Sequence, residues 1–201
     1  MLLARRLPRF HQRLDCLAEI IAAIDRVRDK TPEQVFIAER ALIQIQIEWE
    51  HFVRGLILDS ATGSFSNSAG RVYSTTFSSI RSREAAAHKL VSLFPRSNKE
   101  PDWYLTPKAI DAAMKLGVSN LSQIAAELGV TPWPMDDLRH LRNFIAHKSK
   151  NAALKVRTSG ITIASKRIEA LTLSLQYGVS GDKNYMTWVG FSKGVATRMA
   201  S

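Results

Sequence analysis

The chain has 201 residues, 45% of them hydrophobic and 23% charged, which is enough for a sizeable core and too apolar for a disordered segment. No apolar run is long enough to span a bilayer and no apolar stretch follows the basic residues Arg5, Arg6 and Arg9, so neither a membrane span nor a secretory signal is expected. The formal net charge of +10 says little about fold but favours a polyanionic partner, nucleic acid first and an acidic protein second.

Leu14, Leu17, Ile21 and Ile24 recur at three- and four-residue spacing and predict an amphipathic helix from about Pro8 to Asp29. Thr31, Pro32 and Gln34 then read as N-cap, first-turn proline and capping-box partner. The helix they open carries Val35, Leu42, Ile45, Trp49, Phe52, Val53 and Leu56 and runs to about Asp59, long enough to be the central helix of a bundle. A Ser/Thr/Gly-rich loop covers Ser60 to Thr76, followed by a helix that Pro95 stops near Phe94. The polar loop from Arg96 to Leu105 carries Trp103 and Tyr104, which are expected to pack down. Thr106-Pro107 repeats the cap-plus-proline signal, and Gly117 closes that helix.

A further helix spans Leu121 to Leu128 and ends at Gly129, and Pro132-Trp133-Pro134 is a stiff connector to a helix from Met135 to about Lys148. Beyond it, Ile161-Thr-Ile163 and Leu171-Thr-Leu173-Ser-Leu175 alternate with period two and are compatible with a small β-hairpin in the C-terminal quarter. Tyr185 to Met199 reads as a final helix. With no internal repeat, the expectation is one all-α helical-bundle domain over residues 1–201. Cys16 is the single cysteine, which precludes an internal disulfide and fits a reducing, cytoplasmic setting. It and five dispersed histidines form no ligand cluster at recognisable spacing, so neither a metal nor another cofactor is expected.

The segment richest in chemistry is Asp136-Asp-Leu-Arg-His-Leu-Arg-Asn-Phe-Ile-Ala-His147. On a helical wheel Leu138, Leu141, Phe144 and Ile145 form one side, while Arg142, Ala146, Arg139, Asn143, His147 and His140 follow in order across the other. A plain solvated face would mix charge signs; this arc gathers arginines and imidazoles beside an amide and a small alanine. Asn143 and His147, four apart, can touch. Arg142 lies about 140° from His147, so one helix does not aim both at one point. Arg83 and His88 share the same spacing, but Glu84 follows that arginine in an alanine-rich stretch, which reads as an ordinary solvated helix face.

Arg142-Asn143-x-x-x-His147 resembles the Arg-x(4–6)-His signature of HEPN domains, and Trp49-Glu50-His51-Phe52-Val53 resembles the Trp-Glu-x-Phe segment of some RNase-like HEPN families. The two segments stand in the expected order, on helices at about 32–59 and 134–148. The resemblance implies a HEPN-type bundle that forms a homodimer, with Arg142 and His147 of both copies lining one cleft. It implies a metal-independent endoribonuclease acting on RNA, in a toxin–antitoxin or antiphage setting with an antitoxin or defence-complex protein as partner. In such a site a histidine suits proton transfer near neutrality, and an arginine fork suits a phosphate. Asn143 would orient His147 or the phosphate, Glu50 would tether Arg142 or serve as a structural cap, and Arg139, His140 and His51 are candidate RNA contacts.

Where several HEPN toxins carry a modifiable tyrosine two residues after the histidine, this chain has Ser149, and the segment after Asn151 matches no known pattern. Two other readings stand beside the nuclease. One is a non-catalytic HEPN module that binds a partner or senses a signal. The other is a helix-turn-helix duplex-DNA binder, in which Asn120 to Thr131 supplies the first helix and Leu138 to Asn143 the recognition helix. Ala125, Ala126 and Gly129 suit that crossing, whereas Pro132-Trp133-Pro134 displaces the helix and Asp136 and Asp137 would face DNA phosphates.

Overall fold

A computed structural model describes residues 3–67, 69–94, 99–161 and 168–201. Its helices are α1 (Leu3–Asp25), α2 (Pro32–Ser60), α3 (Arg83–Ser92), α4 (Thr106–Leu116), α5 (Leu121–Leu128), α6 (Met135–His147), α7 (Lys150–Arg157), α8 (Ala170–Leu175) and α9 (Asn184–Ala200). Among the described residues strand pairing is confined to the isolated bridges Ser66–Val72 and Tyr177–Lys183, so the fold is all-α as expected. By their contacts the residues gather into two compact units. The first holds Met1–Phe10, Trp49–Thr131 and Gly194–Ser201; the second holds His11–Glu48 and Pro132–Lys193.

In the first unit the core is built on an aromatic cluster. Phe10 stacks on Phe52 at 4.6 Å between centroids, and Trp49, 1% exposed, lies 6.3 Å from both. Ala109, Ala112, Ala113 and Leu116 bury one face of α4, small enough to let α5 pack closely through Ile124 and Leu128. Gly117 between them adopts φ +60°, and an added Cβ would lie 2.4 Å from Thr76 Oγ1, so only glycine serves there. Thr106 is not the N-cap that the sequence predicts: it is the first helical residue, Leu105 precedes it, and no side chain caps the end.

A charged network sits among these apolar groups. Arg83 Nε and Nη2 donate to Asp59 Oδ1 and Oδ2 at 2.7 and 2.8 Å, and Arg6 Nη2 donates to Oδ2 at 2.5 Å. Arg6 reaches that carboxylate across Gly55, where an added Cβ would meet Nη1 at 1.8 Å. Burial holds the Arg6 guanidinium below its ordinary value, against the pull of Asp59. Arg54 Nε and Nη2 donate to both oxygens of Glu100 at 2.6 Å each, and Trp103 Nε1 donates to Oε2 at 3.0 Å. These bonds pin the loop before α4 and bury Trp103, as its sequence context predicts. Arg83 is therefore an anchored residue rather than part of a plain solvated face.

The second unit opens with the predicted capping box: Thr31 N–H donates to Gln34 Oε1 at 2.9 Å and Gln34 N–H to Thr31 Oγ1 at 3.2 Å. α1 ends at Asp25, four residues before the predicted boundary, where Lys30 Nζ caps Val27 O at 2.6 Å. Ile24, Ala38 and Leu171 pack together with Val35 and Leu175, joining α1, α2 and α8. Residues 171–175 are thus helical, which corrects the hairpin expected from their alternation; most of its other arm, residues 162–163, lies outside the described residues. The period of two belongs to the leucines alone. Ala170 and Ser174 are also buried, and with Leu171 and Leu173 they complete a helical i, i+1, i+3, i+4 face. Pro95, the predicted stop of α3, lies outside the described residues; the helix ends at Ser92.

Candidate active site

α6 carries most of the candidate residues. It starts from Pro134, whose dihedrals are already helical (φ −59°, ψ −28°), and Asp136 and Asp137 place carboxylates at the positive end of the helix dipole. Of the apolar side that the wheel predicts, Leu138 and Leu141 are buried, with Met135 beside them, whereas Phe144 and Ile145 are only half-buried. The helix ends at Lys148, which turns left-handed at φ +44° and donates its N–H to Phe144 O at 2.8 Å. Among the described residues it is the only non-glycine at positive φ, a conformation costing about 1–2 kcal/mol. Such conformations gather at functional sites, and this one directly follows His147. Ser149 then caps α7 by accepting the Ala152 N–H at 3.2 Å, which gives this position a structural task.

Across the other arc, Arg142 Nη1 donates to Asn143 Oδ1 at 3.0 Å. That bond fixes one edge of the guanidinium and leaves the Asn143 amide nitrogen as a donor. Asn143 therefore orients Arg142 in this structure, rather than His147. The Arg142 Nε is buried without a hydrogen-bond partner, as is His140 Nδ1 on the same helix. Arg139 is drawn back along the helix: its Nε and Nη2 lie 3.0 and 2.9 Å from Asp136 Oδ1, which offsets its charge. His140 is half-buried, and burial first, then the Arg139 charge, push its imidazole below its ordinary value, so it is neutral near pH 7. Asp137 is pushed up by burial even though it accepts the Gly160 N–H at 3.0 Å. His147, the last residue of α6, is exposed.

Arg139, His140, Arg142, Asn143 and His147 thus share one helix of the second unit. Glu50 and His51 belong to α2 in the first unit, where Glu50 is half-buried and His51 exposed. The Trp49 and Phe52 that flank them serve the aromatic core. Among the described residues no three His, Cys, Asp or Glu side chains gather as a metal site, and no helix is long and apolar enough to cross a membrane.

Two features of this region escape a reading of sequence. One is the Asp136–Arg139 pair, which its i, i+3 spacing could have disclosed. The other is an open cavity in the second unit beside Phe144 and Lys148, which α2, α7 and α8 complete and no local pattern announces. Comparison with protein-family models, with curated proteins and with solved structures finds no match for this chain.

Proposed function

We propose that this chain is a metal-independent endoribonuclease of the HEPN type, with Arg142 and His147 as its reacting groups and Asn143 as the residue that positions Arg142. The observation carrying the reading is the arrangement on α6: an arginine held by Asn143 at 3.0 Å, with an unpartnered Nε, and an exposed histidine five residues on. The resemblance supplies the toxin–antitoxin or antiphage setting, with an antitoxin or defence-complex protein as regulator, and the single cysteine, Cys16, suits a cytoplasmic location. The basic composition suits an RNA substrate.

The chemistry needs few groups. The RNA 2′-hydroxyl attacks the adjacent phosphorus while a neutral imidazole takes its proton. The bond from phosphorus to the 5′-oxygen breaks, and an imidazolium protonates the departing oxygen. Products are a 2′,3′-cyclic phosphate and a 5′-hydroxyl. Arg142 neutralises charge developing on the phosphate oxygens. Because Arg142 and His147 lie about 140° apart on one helix, two copies of α6 across a dimer axis would supply the acid, the base and the arginines together.

The test is cleavage of single-stranded and transfer RNA in EDTA by wild type, His147→Ala and Arg142→Ala. Each variant is expected to stay folded and lose about 10²–10⁴-fold in rate, the usual worth of a positioned acid or base. Absence of cleavage by folded, dimeric wild type would replace this reading with the non-catalytic partner-binding module.

A further inference from the structure

The open cavity beside α6 measures about 1010 Å³, at the upper end of the range for pockets that hold small ligands. It lies within the second unit, on the flank of α6 carrying Phe144 and Lys148. His147 does not line the cavity, but on the helix it stands about 60° from Phe144, which does, and directly precedes Lys148, which does too. Its apolar wall includes Phe144 and the exposed edge of the cluster formed by Val35, Leu171 and Leu175. Its rim carries Lys30, Lys148 and Arg157 against Glu39 and Glu169.

These groups differ in how far they are already used. Lys30 Nζ is spent on Val27 O, and Glu169 Oε2 accepts the Thr172 hydroxyl at 3.2 Å. The side chains of Glu39 and Lys148 enter no hydrogen bond or ion pair among the described residues. The cavity therefore offers an aromatic face, a carboxylate and an ammonium group. A flat ring with hydrogen-bond donors on its edge and a phosphate attached answers all three. An apolar peptide would leave Glu39 and Lys148 unpaired, and a simple anion would leave the apolar wall empty.

We propose that this cavity holds an amino-bearing nucleobase of the substrate RNA next to the scissile phosphate, stacked on Phe144, donating to Glu39, with its phosphate drawn to Lys148. The proposal rests on the nuclease reading above and names the substrate preference of that same site. A carboxylate only accepts hydrogen bonds. Cytosine, adenine and guanine each turn an amino group toward it, whereas uracil presents carbonyl oxygens on either side of a single N–H. Cleavage should therefore fall beside C, A or G in preference to U.

The experiment titrates the full-length protein with the 3′-monophosphates of cytidine, adenosine, guanosine and uridine, followed by NMR chemical shifts, so that binding is read without any cleavage. The three amino-bearing nucleotides are expected to bind about tenfold or more tightly than 3′-UMP, the scale of one good base contact. Glu39→Gln should collapse that difference, and Lys148→Ala should weaken all four about equally. Ala153→Trp, which fills the cavity, should abolish binding. Circular dichroism on each variant checks that it is folded. Equal affinity for all four nucleotides, binding indifferent to Glu39→Gln, or no binding would each overturn the proposal. If RNA is cut but nucleotides do not bind, the cavity proposal falls while the nuclease reading stands. Nucleotide binding with the stated preference but no RNA cleavage would leave a nucleotide site and remove the nuclease.

Discussion

Replacing Arg83 with alanine should lower stability and leave catalysis per folded molecule intact, the reverse of what Arg142→Ala should do. The Arg83 fork donates two hydrogen bonds, 2.7 and 2.8 Å, to a carboxylate whose side chain is only 8% exposed. Without it Asp59 keeps the Arg6 bond to Oδ2, but Oδ1 loses the bond from Arg83 Nε. A hydrogen bond to a charged group is worth about 1.5–3 kcal/mol. Arg83 is 41% exposed, so water replaces part of the loss, and the net cost should be about 2 kcal/mol. For a chain of this size that lowers Tm by about 4–8 °C. Asp59→Ala should cost more, about 3–5 kcal/mol, because it strands Arg6, whose side chain is 15% exposed. Thermal unfolding followed by circular dichroism, beside EDTA-resistant RNA cleavage at a temperature where both proteins are folded, reads the two effects separately. Full loss of cleavage by Arg83→Ala at unchanged Tm would show that the Arg83–His88 pair is the reacting one and that the assignment to α6 is wrong.

Gly117→Ala should cost about 1–3 kcal/mol in chemical denaturation, since alanine resists φ +60° and its Cβ would press on Thr76; a neutral result would mean the turn after α4 relaxes freely. Thr31→Ala should cost about 1 kcal/mol by removing the hydroxyl acceptor of the capping box at α2, and Thr31→Ser should restore most of it. The pH dependence follows from His140. Its folded value lies below the ordinary 6.5, so the unfolded chain binds the extra proton first on acidification; its contribution to stability is full above 6.5 and is lost as pH falls through the folded value. His140→Gln should flatten that part of the stability–pH curve, and an unchanged slope would refute the assignment.

The helices legible in the sequence were those with a long apolar period and a punctuating residue. α5 matches its predicted bounds, and α2 and α6 match within a residue, because Pro32, Gly129 and the Pro132–Pro134 connector act locally on the backbone. α7 escaped because only Ala152 and Val156 are buried in it, too few to make a period; the cap at Ser149 was the signal available. α8 departs from its sequence pattern for the complementary reason: Ala170 and Ser174 are buried but carry no hydrophobic signal, so the leucines alone show a period of two. α1 starts earlier than expected because Pro8 lies inside it: proline usually opens a helix, yet here its pattern is continued from Leu3.

The candidate site was legible as a set of residue types but not as a charge distribution. By wheel geometry Arg139, His140 and Arg142 look alike, three basic groups on one arc. Tertiary and near-neighbour contacts separate them. Arg139 is offset by Asp136, His140 is neutral near pH 7, and Arg142 alone combines a fixed edge with a buried donor in need of an acceptor. Such a sorting depends on burial, which spacing does not encode. It also concentrates the proposed contact with the scissile phosphate, among the basic groups of this arc, on Arg142 rather than on a diffuse basic face. A diffuse face would bind RNA mainly through charge, lose affinity steeply with salt and tolerate the loss of any single arginine. A single arginine held by Asn143 would instead make its own replacement costly at every salt concentration under the proposed reading, because its loss could not be shared among neighbouring charges.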